Sequence, residues 1–165
     1  MGYTVLVVDD TKKIRDIVRY FLEQEGYQVK SAGDPFEGIK VAQAGGVDLV
    51  LLDIMMPGMD GYAVYDSMKK DRRTADIPVI MLTAKAIIMH TPKDFFYGLY
   101  GFLSKPFSKQ QLIKMVSDIL RITKSNEETR LIQSVDIEED EDSEAWNSWK
   151  FEFSKIFKPI SLLQL

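Results

Sequence analysis

The sequence predicts an α/β protein built on a doubly wound parallel sheet. Two observations support this fold class: short apolar runs, and segments of helical periodicity that alternate with them. A fifth strand, Tyr27 to Ala32, completes the alternation, which predicts right-handed crossovers. The other four runs are too short for buried helices and are rich in β-branched or aromatic residues: Val5 to Val8, Val47 to Leu52, Val79 to Leu82 and Phe102 to Leu103.

The segments between these strands carry helical signals. In the first, a cap is predicted at Thr11 and a stop at Gly26. Its apolar residues recur at helical spacing: Ile14, Ile17, Val18, Phe21 and Leu22. Two capping-box patterns predict the starts of two further helices. The pairs are Asp34 with Glu37 and Ser108 with Gln111.

Polar groups follow four of the predicted strands. They are Asp9 and Asp10, Asp53, Thr83, and Lys105. Because the carboxyl ends of parallel strands meet at one edge of the sheet, where ligands bind, we expect these groups to converge. Three close carboxylates repel one another unless a divalent cation lies between them, and oxygen ligands favour Mg²⁺ or Mn²⁺. Each group alone has a simpler interpretation as a helix cap or a surface charge, so the prediction depends on their joint occurrence.

A phosphoryl group is the predicted ligand of this edge. Magnesium keeps several waters and commonly shares its shell with phosphate. Asp53, which precedes a tight turn at Pro57-Gly58, is then predicted to be both a metal ligand and a nucleophile that forms an acyl phosphate. The Lys105 ammonium and the Thr83 hydroxyl are predicted to contact two further phosphoryl oxygens.

The chain resembles the receiver domain of two-component response regulators over about residues 2 to 122. The motifs that carry the resemblance are Asp9-Asp10, Asp53 to Gly61, Leu82 to Lys85, and Lys105 to Phe107. It implies a flavodoxin-like fold with strand order 2-1-3-4-5 and phosphorylation of Asp53 by a sensor histidine kinase or histidine phosphotransfer protein. It also implies that the protein catalyses only its own phosphorylation and dephosphorylation.

The resemblance further implies a role for individual residues. Asp9, Asp10, Asp53 and the Met55 backbone carbonyl would hold Mg²⁺. Thr83 would sense the phosphoryl group together with Lys105, and Phe102 stands where the family has its rotating aromatic. An aromatic in a last strand is also commonly part of the core, and this alternative for Phe102 stays open.

Two other functions fit parts of the pattern. An aspartyl-phosphate phosphotransferase or phosphatase uses the same chemistry but usually has a second acid two residues after the nucleophile, where this chain has Met55. A phosphorylation-independent receiver scaffold would lack some of the site residues, and none is missing here.

The segment before the last strand departs from the family pattern. Thr91-Pro92 interrupts the fourth helix expected there, because proline removes a backbone donor and clashes with the preceding turn. The segment is also unusually aromatic, with Phe95, Phe96, Tyr97 and Tyr100 close together. We predict an interface at this segment, and one form of it is a homodimer through the fourth-helix and fifth-strand face or the tail. A rebuilt core is the alternative.

The end of the chain is the second departure. We predict a receiver domain over residues 1–122, an acidic linker over 123–144 and an amphipathic C-terminal tail over 145–165. The nine residues from Asp136 to Glu144 contain seven acids. Aromatic residues of the tail recur at helical spacing: Trp146, Trp149, Phe153 and Phe157. They predict a docking helix for its own receiver or a second copy. The alternatives are an extra core element, or a peptide for another protein or a membrane surface.

Composition excludes several other kinds of site and partner. The chain has no cysteine, which excludes disulfides and thiolate chemistry, and its single histidine, His90, has no partner at metal spacing. No stretch approaches the length of a membrane span, so we expect a cytoplasmic protein with no membrane partner. Residues 1 to 125 carry 17 basic and 15 acidic groups, without a basic face, so we expect no nucleic-acid partner.

Overall fold

A computed structural model of the chain describes residues 2–84 and 99–133. In these ranges the strands are β1 (Thr4–Val8), β2 (Gln28–Ala32), β3 (Leu49–Asp53), β4 (Val79–Ala84) and β5 (Leu99–Lys105). The helices there are α1 (Lys12–Gln24), α2 (Pro35–Gln43), α3 (Gly61–Lys70) and α4 (Lys109–Gln133). The strands form a parallel sheet in the order β2-β1-β3-β4-β5, which confirms the predicted fold class and strand order.

Both faces of the sheet are covered. Along β1, Leu6 and Val8 belong to one core cluster, whereas Val5 and Val7 belong to a second cluster. All five residues of β1 and all five of β3 are buried. Continuous apolar strands therefore arise because alternate side chains enter two separate cores. β5 begins earlier than predicted, at Leu99, because it pairs with β4 along the whole of that strand.

The first helix follows its predicted pattern with two corrections. Val18 and Leu22 are buried, but the Ile17 side chain is 44% exposed, so the apolar spacing overstated the buried face. Thr11 is the residue at the N-cap position, as predicted, yet its side chain makes no capping hydrogen bond to the helix. The Thr11 backbone N–H instead donates to Asp9 Oδ1 at 2.8 Å.

The two predicted capping boxes mark helix starts. At α4, the Ser108 backbone N–H donates to Gln111 Oε1 at 2.8 Å, and the Gln111 N–H donates to Ser108 Oγ at 3.2 Å. At α2, Asp34 Oδ1 accepts from the Glu37 N–H at 2.9 Å. The Glu37 carboxylate accepts from the backbone N–H of Gly33, one residue before the expected donor, Asp34.

The chain divides into two compact units, Met1–Glu127 and Glu128–Leu165. Helix α4 continues to Gln133, so the first part of the predicted linker is helical. Within the described ranges no helix is long and apolar enough to cross a membrane. Several sequence predictions lie outside the described residues. They concern His90, Thr91-Pro92, Phe95, Phe96, Tyr97, Trp146, Trp149, Phe153 and Phe157.

Candidate functional site

Three carboxylates converge at the carboxyl edge of the sheet. Asp9 directly follows β1 and is fully buried, Asp53 ends β3 and is 4% exposed, and Asp10 is exposed. One oxygen from each lies within 4.8 Å of the others. The parallel topology brings them together, because β1 and β3 are adjacent and point the same way.

Lys105, the last residue of the edge strand β5, contacts two of these acids. Its Nζ lies 2.6 Å from Asp9 Oδ2 and 3.0 Å from Asp53 Oδ1. β4 lies between β3 and β5, so the ammonium spans the end of the intervening strand. Its single positive charge contacts two of the three carboxylates, so Lys105 by itself does not balance the charge of the three acids.

The protonation equilibria reflect burial and this contact. Burial raises the pKa of Asp53, and the neighbouring Asp9 charge also raises it, while Lys105 acts in the opposite direction. Burial by itself lowers the pKa of Lys105, but its contacts with Asp9 and Asp53 outweigh that effect and hold the pKa above its ordinary value. Lys105 therefore stays charged at neutral pH.

The donor set fits a small divalent cation. Carboxylate oxygens are the ligands that Mg²⁺ and Mn²⁺ prefer, and Mg²⁺ binds oxygen at about 2.1 Å, which places two ligands up to roughly 4.2 Å apart. The observed spacing within 4.8 Å needs only small side-chain adjustments to meet this limit. The residues present therefore fit the predicted metal, with Asp9, Asp10 and Asp53 as its acidic ligands.

Two other predicted site residues, Thr83 and Phe102, lie in the neighbouring strands β4 and β5. Thr83 is fully buried in β4, where it pairs in register with Ser104 next to Lys105. Phe102 is half-buried and packs against one of the two core clusters, as the core alternative anticipates. Roles for Thr83 and Phe102 in a switch stay predictions.

Met55 lies at the rim of the cluster. Its backbone N–H donates to Asp53 Oδ1 at 3.3 Å, and its side chain is 64% exposed. The metal-ligand role of its backbone carbonyl stays a prediction. Tyr100, the one predicted interface residue within the described ranges, is half-buried against the second core cluster.

Sequence analysis missed two residues that shape the site. Arg15 of α1 donates from Nη1 to the Asp9 and Asp10 carbonyl oxygens. Gly61 opens α3 directly against the backbone of Asp53. Gly61 is the last residue of the motif that begins at Asp53, so the sequence contained a signal for its importance. Arg15 lies beside the apolar stripe of α1, and nothing in its position distinguishes it from a surface arginine.

Comparison with known proteins identifies the family. The profile of the response regulator receiver domain matches residues 5–117. The DNA-binding dual master transcriptional regulator RpaA of Synechocystis is 40% identical over 72% of this chain and 49% of its own length. The phosphate regulon transcriptional regulatory protein PhoB of Pseudomonas aeruginosa is 36% identical over 74% of this chain and 54% of its own length. The chemotaxis response regulator CheY4 of Vibrio cholerae, a solved structure, gives a TM-score of 0.65 at 30% identity, covering 72% of this chain and 99% of that one.

The chain belongs to the response regulator receiver domain family of two-component systems. It spans about half the length of the curated relatives it matches. The prediction that excluded a nucleic-acid partner was wrong, because these relatives are transcriptional regulators and one is named as DNA-binding. The physical reason is that the charge balance describes only this chain, and a nearly neutral receiver surface carries no information about the unmatched half of such proteins.

Proposed function

We propose that this protein is a phosphate-accepting response regulator whose phosphorylation site is Asp53 and whose phosphorylation depends on Mg²⁺ or Mn²⁺. The observation that carries the proposal is the contact of Lys105 Nζ with both Asp9 and Asp53, within a cluster of three carboxylates at the carboxyl edge of the sheet. Phosphoryl transfer to an acid needs positioning and charge neutralisation, and this cluster offers both.

The proposed reaction is a transfer from a phosphohistidine of a two-component partner. An Asp53 carboxylate oxygen attacks phosphorus, the P–N bond breaks as the P–O bond forms, and the imidazole leaves. Lys105 exchanges its contact with an Asp53 oxygen for one with a phosphoryl oxygen. A divalent cation, when held by Asp9, Asp10, Asp53 and the Met55 carbonyl, supplies further neutralisation of the transferring group.

The proposed output is a change of interactions. Thr83 and Phe102, in adjacent strands β4 and β5, are the residues proposed to respond to the phosphoryl group. Because RpaA and PhoB are named as transcriptional regulators, we include transcriptional control among the processes that the receiver governs. In this proposal the chain catalyses only its own phosphorylation and dephosphorylation. A cytoplasmic location stays a prediction.

Replacing the acceptor is expected to abolish phosphorylation. Native protein incubated with phosphoramidate and Mg²⁺ should gain one phosphoryl group by intact-mass spectrometry, and EDTA should prevent it. Asp53→Asn removes the nucleophilic carboxylate and should gain none. Asp66→Asn is a matched control, because Asp66 is an exposed acid of α3 paired with Lys70 outside the cluster. Equal labelling of Asp53→Asn and native protein would refute the assignment.

Slow loss of the phosphoryl group is expected from the side chain at position 55. Met55 is exposed beside Asp53 and has no polar atom with which to orient an attacking water. Met55→Asn and Met55→Glu should therefore accelerate dephosphorylation on the order of tenfold. This is less than the roughly 100-fold or more that a well-positioned acid or base contributes in an enzyme. Met55→Leu keeps the apolar character and should match the native rate. The decay of the phosphorylated mass after donor removal provides the measurement, and identical decay in all four proteins would contradict the prediction.

A further inference from the structure

Arg15 binds the turn that carries the acid pair. Its Nη1 donates to the carbonyl oxygen of Asp9 at 2.7 Å and to that of Asp10 at 3.1 Å. One nitrogen thus bridges two consecutive peptide groups. Bonds from a charged donor are stronger than those between neutral groups, so this bridge fixes the peptide planes on both sides of Asp10.

The guanidinium lies beside Gly33. An ideal Cβ at Gly33 would lie 3.4 Å from each of the Arg15 atoms Cζ, Nη1 and Nη2. Equal distances to three atoms of one plane place this Cβ position over the flat face of the guanidinium, in a space that glycine leaves free. Gly33 directly follows β2, so Arg15 connects the end of that strand to the turn after β1.

Lys105 contacts the Asp9 carboxylate of this turn, but the backbone of the turn has few other hydrogen bonds among the described residues. The Asp9 N–H donates to the Ala32 carbonyl at 3.3 Å, and the Thr11 N–H donates to Asp9 Oδ1 at 2.8 Å. Neither bond involves the Asp10 peptide carbonyl, which Arg15 contacts. Asp10 is also the exposed member of the acid cluster, so its carboxylate direction depends on the backbone that carries it.

We propose that Arg15 is a positioning residue for divalent-cation binding: by holding the Asp9 and Asp10 carbonyls it presets the direction of the two carboxylates toward the site shared with Asp53. The inference rests on the proposed function, because that function supplies the cation. Two effects of opposite sign operate at Arg15. Its hydrogen bonds preorganise the ligands, whereas its positive charge repels a cation, and in this proposal preorganisation dominates.

A direct measurement of Mn²⁺ binding tests the proposal without phosphorylation. The electron paramagnetic resonance signal of free Mn²⁺ decreases as the ion binds, which gives the affinity. Arg15→Met should weaken Mn²⁺ binding about tenfold, the low end of the range for residues that orient metal ligands. Arg15→Lys keeps the charge but lacks the planar fork, so its affinity should fall between native and Arg15→Met. Arg19→Met is the matched control with unchanged affinity, because Arg19 lies one turn along α1 and contacts Ser31 Oγ instead.

A variant at Gly33 separates the positioning effect of Arg15 from the effect of its charge. Gly33→Leu keeps Arg15 but places a side chain where the guanidinium packs, so it should also weaken Mn²⁺ binding severalfold. If Arg15→Met does not fold, as judged by circular dichroism, Gly33→Leu and Arg15→Lys carry the test. Native affinity in all folded variants, or tighter binding in Arg15→Met, would overturn the proposal.

Labelling with phosphoramidate distinguishes failure of this inference from failure of the proposed function. In Arg15→Met the Mg²⁺ concentration for half-maximal labelling should rise about tenfold, while the rate at saturating Mg²⁺ stays close to native. A native protein that takes no Mg²⁺-dependent label refutes the proposed function itself. A native protein that is labelled, together with an unchanged Mg²⁺ requirement in Arg15→Met, refutes only the role of Arg15.

Discussion

Lys105→Met is expected to lower the free energy of unfolding by about 3 kcal/mol near pH 7.5 in the absence of divalent cations. The ammonium lies 2.6 Å from Asp9 Oδ2 and 3.0 Å from Asp53 Oδ1, and both carboxylates are buried. Removing one partner of a buried ion pair leaves the other charges uncompensated, which costs more than the pair contributed. Methionine keeps most of the length of the lysine side chain, so loss of the charge dominates the effect.

The loss should depend on pH in a defined direction. Burial already raises the pKa of Asp53, and without Lys105 the pKa rises further. A carboxyl whose pKa is higher in the folded than in the unfolded state binds more protons when folded, so stability falls as pH rises through that range. Below the unfolded value of about 4 both states are protonated and the penalty vanishes. The difference between Lys105→Met and native protein should therefore be small near pH 4, about the unfolded value, and should grow as the pH rises above it.

Mg²⁺ should restore most of the lost stability. A divalent cation that binds the acids in the folded state takes over the neutralisation that Lys105 provided, and ligand binding to the folded state raises stability by mass action. Denaturant unfolding with EDTA or excess Mg²⁺, at several pH values, measures both effects. Lys109→Met is the matched control. Its ion pair with Glu25 is partly exposed, so the substitution should cost less than about 1 kcal/mol. Because the acid cluster is intact in this variant, Mg²⁺ should stabilise it by the same amount as native protein. Equal losses in the two variants would contradict the prediction.

The fold was predictable because its signals are local and mutually consistent. Runs such as Val5 to Val8 have no helical alternative of sufficient length, and their strict alternation with helical segments restricts the topology to a doubly wound sheet. Convergence of Asp9, Asp53 and Lys105 followed from that topology, since all three stand at carboxyl ends of parallel strands. These site positions depended on strand identity and direction rather than on side-chain detail.

The remaining features depend on contacts that sequence spacing does not encode. An exposed apolar residue and a buried one have the same helical spacing, so Ile17 could not be separated from Val18. The bonds from Arg15 to two carbonyl oxygens arise from the turn geometry after β1. Thr11 was assigned a cap from its residue type, whereas Asp9 accepts its backbone N–H. Each of these contacts is set by backbone direction at a turn or by tertiary packing.

Gly61→Ala is expected to damage both stability and phosphorylation. A Cβ at position 61 would clash with the Asp53 carbonyl oxygen and lie 2.8 Å from Ile54 Cα, and neither backbone atom moves without displacing the end of β3. Gly61 also donates its backbone N–H to the Ile54 carbonyl at 2.9 Å, so the first turn of α3 is fixed to the same segment. Overpacking of this kind costs about 2–3 kcal/mol. Because Asp53 carries the proposed nucleophile, a displacement near 1 Å should slow its labelling by about 100-fold.

Gly45→Ala is the control for Gly61→Ala, because it makes the same substitution at a position without the clash. An added Cβ at Gly45 meets nothing within 4 Å, but the residue has a φ of 84°, which costs a non-glycine residue about 1 kcal/mol. This control should lose that amount of stability and keep the native labelling rate with phosphoramidate and Mg²⁺. Slow labelling confined to Gly61→Ala, measured on protein shown to be folded, would mean that close packing of α3 on β3 positions the acceptor carboxylate. Native labelling by folded Gly61→Ala would mean that Asp53 keeps its geometry independently of α3, with Lys105 and the adjoining acids as its remaining restraints.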